Sequence, residues 1–311
     1  MRPALLSTLK RLFRLVLMTV VGVGLAAGAV ASEPLTVVAS FSILGDLTQR
    51  IGGDRVQVHT LVSPGADAHV YQPTPSDART LARAQLVIVN GLGFEGWIER
   101  LIKSSGYRGE LLVASRGIDA MAQAPSGKQH AHDHRSAVDP HAWQDLSNAR
   151  RYVANIADAL GAADPANRAH YQANATRLNQ AIATLDNEIR TTFNAIPSER
   201  RKVVTSHDAF AYFGRAYGIR FIAPVGVSTD AEPSAGDVGA IIRQIRREQI
   251  RAMFIENIAD PRLLERISRE SGARIGGTLY SDSLSPPGTA ADSYLGMMRR
   301  NAKTLAAALA D

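Results

Sequence analysis

Short apolar runs rich in β-branched residues alternate with amphipathic segments along most of the chain. Strands that alternate with helices in this way predict βαβ units built around parallel sheets. The expected fold class is therefore α/β, with two lobes of four strands each. The predicted strands are Leu35–Ser40, Val56–Val62, Leu86–Asn90, Leu111–Val113, Lys202–Thr205, Ile219–Ala223, Ala252–Ile255 and Arg274–Tyr280. The predicted helices between them are Ile43–Ile51, Ser76–Ala82, Asp208–Tyr217, Ser234–Glu248 and Pro261–Ser271.

A long helix is predicted between the two sets of strands. Residues 166–196 contain no Gly or Pro, and Asp164 and Pro165 are suited to the N-cap and to the first helical position. Apolar residues recur there at spacings of three and four: Leu178, Ile182, Leu185, Ile189 and Phe193. A helix of this length spans roughly 45 Å at about 1.5 Å per residue. We interpret residues 165–196 as a stiff connector between the lobes. An ordinary surface helix and one half of a coiled coil are the alternatives.

The N-terminal segment has the pattern of a secretory signal peptide. Residues 1–14 carry four basic residues and no acidic one, and residues 15–31 are almost wholly apolar or small. Ala29-Val30-Ala31 fits the small-residue rule for cleavage. We expect residues 1–31 to be removed, so that the mature chain starts near Ser32. A single membrane anchor is the alternative, because the apolar stretch approaches spanning length.

Charge and cysteine content narrow the functional classes. The chain has 35 Lys and Arg against 29 Asp and Glu, and without the four basic residues of the leader the balance is 31 to 29. A nearly neutral mature chain does not indicate a nucleic-acid partner. The absence of cysteine excludes a lipid-modified N-terminal cysteine and every thiolate metal site. We therefore expect a soluble protein of the periplasm without a lipid anchor.

Four candidate metal ligands each follow an apolar run: His69, His141, His207 and Asp282. His207 lies between a predicted strand and helix, and Asp282 follows the last predicted strand. Ligands of an open α/β sheet bind at the carboxyl ends of its strands, so these side chains are expected to converge. Three imidazoles and one carboxylate would complete a tetrahedral shell for a zinc-type metal.

The chain resembles the periplasmic solute-binding proteins of the zinc/manganese ABC-transporter group, the ZnuA-like cluster A-I family. The matching motifs are Gly65-Ala66-Asp67-Ala68-His69-Val70-Tyr71-Gln72-Pro73-Thr74-Pro75-Ser76-Asp77, Asp139-Pro140-His141-Ala142-Trp143, Ser206-His207-Asp208-Ala209-Phe210-Ala211-Tyr212-Phe213 and Tyr280-Ser281-Asp282. The resemblance implies two Rossmann-like lobes joined by one long rigid helix, with a metal held between them. Ala68 departs from the family, where proline often precedes the first histidine. A histidine at the third ligand position, here His207, resembles the zinc binders, whereas a glutamate there resembles the manganese binders.

These observations divide the chain into four parts. They are a signal peptide at 1–31, an N-terminal lobe at 32–145, a helical linker at 146–198 and a C-terminal lobe at 199–311. Residues 118–139 of the N-terminal lobe read as a surface loop that contains His130, His132 and His134. This loop is similar to the longer His-rich loop of many zinc members. Its histidines are therefore candidates for accessory metal capture, and a solvated loop without a role is the alternative.

The leading functional hypothesis is a non-catalytic carrier that binds Zn²⁺ tightly and delivers it to an ABC permease in the inner membrane. A manganese or iron(II) carrier of the same family is one alternative, and a scaffold with a structural metal is another. A zinc-dependent hydrolase is the alternative from another class, but catalytic zinc needs an open position and a general base. Glu256 or Asp230 could serve as that base. A monomer is expected, and a periplasmic metal chaperone is a further candidate partner.

Overall fold

The computed structural model describes residues 33–123 and 138–310. The predicted signal peptide at 1–31 and the histidines His130, His132 and His134 lie outside these ranges. The chain from Pro34 onward forms one compact unit that contains two four-stranded parallel sheets. The expected fold class, two α/β lobes around parallel sheets, is therefore confirmed.

The first sheet and its helices form the N-terminal lobe. The elements of this lobe are β1 (Leu35–Phe41), α1 (Ser42–Gly52), β2 (Val56–Val62), α2 (Pro75–Arg83), β3 (Leu86–Val89), α3 (Ile98–Ser105) and β4 (Glu110–Val113). The strand order in the sheet is β2-β1-β3-β4. The capping box of Thr74 and Asp77 begins α2, because each side chain accepts a hydrogen bond from the other residue's backbone N–H.

The second sheet and its helices form the C-terminal lobe. The elements are β5 (Lys202–Val204), α6 (Ala211–Tyr217), β6 (Arg220–Ile222), α7 (Ala235–Glu248), β7 (Ala252–Glu256), α8 (Arg262–Ser271), β8 (Arg274–Leu279) and α9 (Tyr294–Ala310). The sheet repeats the topology of the first, with strand order β6-β5-β7-β8. Successive strands are added on one side of β5 and then on the other, so the switch point lies between the parallel strands β5 and β7, where a crevice opens beyond the carboxyl ends of the strands.

Two helices lie between the sheets in sequence, α4 (Leu146–Ala163) and α5 (Arg168–Asn194). Helix α5 has 27 residues and a length of roughly 40 Å, and it is the long helix that links the lobes. The predicted apolar stripe from Leu178 to Phe193 is buried. It packs against α1, α4, α6 and α9, so both lobes rest on α5.

The start of the linking helix differs from the prediction. Pro165–Asn167 form a 3-10 turn, and α5 begins only at Arg168. The N-cap of α5 is Asn167, and the Oδ2 atom of Asp164 accepts hydrogen bonds from the side chains of Asn167 and Tyr171 at 2.7 Å each. Asp164 therefore fastens the α4–α5 corner rather than acting as the N-cap of the long helix.

Most predicted elements agree with the structure to within one or two residues. Besides the start of α5, the exceptions are α3, α4, α6 and α9, of which α4 lies in a segment predicted only as part of the helical linker. Helix α6 begins at Ala211 rather than Asp208, because the backbone N–H of Asp208 donates to Gly226 O and the following residue forms a tight turn. Helices α3 and α9 lack a predicted counterpart, although both bury apolar residues against the core. Within 33–123 and 138–310, no helix combines the length and the apolar character needed to cross a bilayer.

Candidate metal centre

The four predicted ligands come together between the two lobes. One ligand atom from each of His69, His141, His207 and Asp282 lies within 4.8 Å of the other three. The Nε2 atoms of the three histidines lie 3.2, 3.4 and 3.1 Å from the carboxylate oxygens of Asp282. All four side chains are at most 4% exposed. The structure thus shows a closed cluster, and the role of each residue as a metal ligand stays a prediction.

The N-terminal lobe supplies two histidines. His69 lies in the loop between β2 and α2, and its backbone N–H donates to Oδ1 of Asp67 at 2.8 Å. Its ring meets the ring of Phe94 edge to face at 4.7 Å. His141 directly precedes a 3-10 turn, and Oδ1 of Asp139 lies 2.9 Å from its backbone N and 2.7 Å from its Nδ1. Asp139 therefore fixes both the backbone and the ring orientation of His141.

The C-terminal lobe supplies the third histidine from the switch point of its sheet. His207 follows β5, and Glu256 ends the neighbouring strand β7. The backbone N–H of His207 donates to Oε1 of Glu256 at 2.8 Å. The Nδ1 atom of His207 lies 2.6 Å from Oε2 of Glu256, although the pair is not aligned as a regular hydrogen bond. Glu256 thus braces His207 as Asp139 braces His141.

Asp282 lies in the loop after β8, and residues of the N-terminal lobe hold that loop in place. The carbonyl oxygen of Ser281 accepts hydrogen bonds from Trp143 Nε1 at 3.0 Å and from Gln144 Nε2 at 2.7 Å. Trp143 and Gln144 follow His141 almost directly. The position of the carboxylate is therefore set by the same turn that presents a histidine.

Electrostatic coupling within the cluster is strong because the groups are buried together. Burial by itself lowers the pKa of His141, but the carboxylates of Asp282 and Asp139 outweigh it and raise that pKa to about 9. The pKa of His207 is likewise raised well above its ordinary value, since Glu256 and Asp282 outweigh burial. Burial raises the pKa of Asp282, yet the neighbouring imidazoles hold it well below its usual range. The carboxylates of the cluster therefore stabilise a positive charge placed beside them.

Several polar atoms at the centre of the cluster have no hydrogen-bond partner. They are Nε2 of His69, His141 and His207 and both carboxylate oxygens of Asp282. Buried polar atoms without hydrogen-bond partners are rare in proteins, and a binding site for an ion is one cause of them. These atoms face one another, and a cation bound among them would satisfy all of them at once.

Of the three acidic residues around the cluster, only Glu256 was singled out from the sequence, and there as a possible catalytic base. Asp139 and Asp67 each lie two residues before a histidine and accept its backbone N–H. Glu256 stands at the carboxyl end of a predicted strand, a position that could have suggested it as a histidine partner. The histidines of the predicted surface loop lie outside the described residues, so their role in metal capture stays a prediction.

Both the sequence and the fold of this chain are similar to those of known metal-binding proteins. Residues 37–308 match the family described as "Zinc-uptake complex component A periplasmic". The manganese ABC transporter substrate-binding lipoprotein PsaA of Streptococcus pneumoniae is 32% identical over 288 residues, which cover 90% of each chain. The periplasmic zinc-binding protein TroA of Treponema pallidum has a TM-score of 0.81 and 29% identity, over 89% of this chain and 99% of that one. The Mn-bound periplasmic metal-binding protein of Candidatus Liberibacter asiaticus has a TM-score of 0.78 and 31% identity, over 88% and 99% of the two chains.

Proposed function

This chain belongs to the family of the periplasmic zinc-uptake complex component A, and from that membership and the site we propose that it captures Zn²⁺ and delivers it to a membrane importer. Members of this kind are the metal-binding, solute-binding components of ABC transporters and not enzymes. The predicted family resemblance is therefore confirmed, and the hydrolase alternative is wrong. A membrane permease is the partner that such a component implies.

We propose His69, His141, His207 and Asp282 as the ligands of the transported ion. The observation that carries this proposal is the set of unpartnered Nε2 and carboxylate atoms that face one another in a buried cluster. Asp139 and Glu256 lie at Nδ1 of His141 and His207, an arrangement common among ligating histidines, in which a carboxylate behind the ring fixes its orientation and makes Nε2 a stronger donor to the metal. An ion held by four side chains has no open position for catalysis, as suits a cargo.

We propose zinc rather than manganese because of the donor set. Three imidazole nitrogens and one carboxylate suit zinc, whereas manganese favours oxygen ligands and a higher coordination number. The relatives divide on this point, since PsaA is named for manganese and TroA for zinc. The nature of the donors in this chain, rather than the names of its relatives, supports zinc.

The choice of metal is tested by content and by growth. Protein purified from cells without added metal is expected to contain zinc, as measured by elemental mass spectrometry. Divalent zinc outcompetes manganese at most nitrogen and oxygen sites, so affinity alone does not identify the cargo. A deletion strain in chelator-treated medium should therefore be restored by zinc and not by manganese. Manganese in the purified protein together with manganese-dependent growth would contradict the proposal.

Metal affinity should fall as the pH falls. Ligand imidazoles must be neutral, so protons compete with the metal below the pKa of each ring. Because the pKa of His141 is raised to about 9, this competition should already be present at neutral pH and should fade only above that pKa. Each displaced proton lowers the apparent affinity by about tenfold per pH unit in that range. Competitive titration from pH 9 to pH 5 measures this slope, and a flat profile would argue against histidine ligands.

The cellular setting is part of the proposal. A leader at residues 1–31 that is cleaved on export would place the mature chain in the periplasm, where an importer component meets its cargo. The loop histidines His130, His132 and His134 are proposed to capture metal on the way to the main site. Mass spectrometry of the exported protein tests the first point, because the proposed product starts near Ser32.

A further inference from the structure

The three histidines of the cluster are not held equally. The Nδ1 atom of His141 contacts the carboxylate of Asp139, and the Nδ1 atom of His207 contacts the carboxylate of Glu256. Within the described ranges, the ring of His69 has no such carboxylate at Nδ1. It rests on the edge-to-face contact with Phe94, and its backbone N–H is fixed by Asp67. His69 is therefore the histidine whose position depends most on its loop.

The loop of His69 is tied to the other lobe through Asp67. While Oδ1 of Asp67 accepts the backbone N–H of His69 at 2.8 Å, its Oδ2 accepts the hydroxyl of Thr229 at 2.6 Å. Thr229 belongs to the segment between β6 and α7 of the C-terminal lobe. One carboxylate thus joins a candidate ligand of one lobe to a hydroxyl of the other.

A cavity of about 390 Å³ lies beside this contact. Its walls include Asp67, Thr229 and Pro233, and it extends inward to His207. The lobes are also joined by a backbone hydrogen bond, which Gly65 N–H donates to Leu284 O at 3.0 Å. The Asp67–Thr229 contact therefore lies on the wall of a space that already reaches one of the candidate ligands.

We propose that the Thr229–Asp67 hydrogen bond is an interlobe latch that positions His69, and that its opening sets the rate at which bound metal leaves. The inference rests on the proposed function, because it assumes that the cluster binds metal. Breaking the latch frees the loop of His69 while Asp139 and Glu256 still brace the other two histidines. Metal is then held by three residues next to the cavity, from which it can leave.

The test is the release of zinc from the loaded full-length protein into an excess of a colorimetric chelator. Thr229→Val removes the hydroxyl with little change in shape and should speed release on the order of tenfold, as expected for losing one partly exposed hydrogen bond to a carboxylate. Thr229→Ser keeps a hydroxyl and should restore slow release. Ser228→Ala is the matched control, since among the described residues that hydroxyl accepts only a long contact from the backbone N–H of Asp230 at 3.4 Å.

A double-mutant cycle distinguishes the loss of the Thr229–Asp67 hydrogen bond from a general increase in mobility of the segment between β6 and α7. Asp67→Ala should speed release at least as much as Thr229→Val, and adding Thr229→Val to it should have no further effect. Additive effects, or release from Thr229→Val at the parental rate, would overturn the latch. A parent protein that binds no zinc would instead overturn the proposed function, so the two failures are distinguishable. Equal unfolding temperatures of the metal-free variants would show that the change in rate is local.

Discussion

His69→Ala is expected to lower the zinc affinity of this chain by more than a hundredfold, with little loss of stability in the metal-free state. Removing a residue that only orients a ligand typically costs about ten- to a hundredfold in affinity, and loss of a ligand itself should cost more. Competitive titration against a chelator of known affinity measures this change. The substitution leaves no carboxylate at Nδ1 without its partner, because the described residues place none there.

The other two histidines should behave differently in one respect. His141→Ala and His207→Ala should reduce affinity as strongly, but each leaves a buried carboxylate, Asp139 or Glu256, without its imidazole. Buried charges without partners are costly, so these two variants should also unfold at a lower temperature without metal. His59→Ala is the control, since His59 lies on β2 away from the cluster. Parental affinity in all three cluster variants would show that the metal binds elsewhere.

Ala181→Pro is expected to destabilise the whole protein, although Ala181 is an exposed residue in the middle of α5. Proline removes one helical hydrogen bond and clashes with the preceding turn, at a cost of about 3 kcal/mol or more. Because both lobes pack on the buried face of α5, the kink should disturb contacts in each of them. The free energy of unfolding in urea, measured on the metal-free protein, should fall by at least this amount.

Ala181→Gly is the matched control for this variant. Glycine adds flexibility but keeps the backbone N–H, and it should cost about 1 kcal/mol. If proline destabilised the chain no more than glycine does, the lobes would not depend on an unbroken helix. A larger loss with proline supports the interpretation of α5 as a stiff support.

Much of the architecture could be predicted from local patterns. The strands were recognisable because buried parallel strands are short, continuous apolar runs, and the stripe from Leu178 to Phe193 had a helical period. Elements with weaker patterns were missed. Helix α3 has only eight residues, and α9 mixes small and basic residues with its apolar ones. The start of α5 was misplaced because the carboxylate of Asp164 bonds to side chains that only the folded corner brings close.

The identity of the candidate ligands followed from the sequence, but their support did not. His69, His141, His207 and Asp282 stand at strand ends or in loops with recognisable motifs, and parallel strands bring such positions to one edge. Which acid orients which histidine depends on the packing of strands and loops that are far apart in the chain. Glu256 reaches His207 because β5 and β7 are neighbours in the sheet.

The relation between the lobes was decided by the tertiary structure alone. A sequence pattern records which residues face a core, because burial of apolar surface repeats with the period of the helix or strand. It does not record which polar atoms from distant segments meet across a cleft. The contact of Thr229 with Asp67 joins residues 162 positions apart, and Trp143 reaches Ser281 across 138 positions. Such hydrogen bonds leave no periodic pattern in the sequence, because their partners lie in distant segments that only the packing of the two lobes brings together.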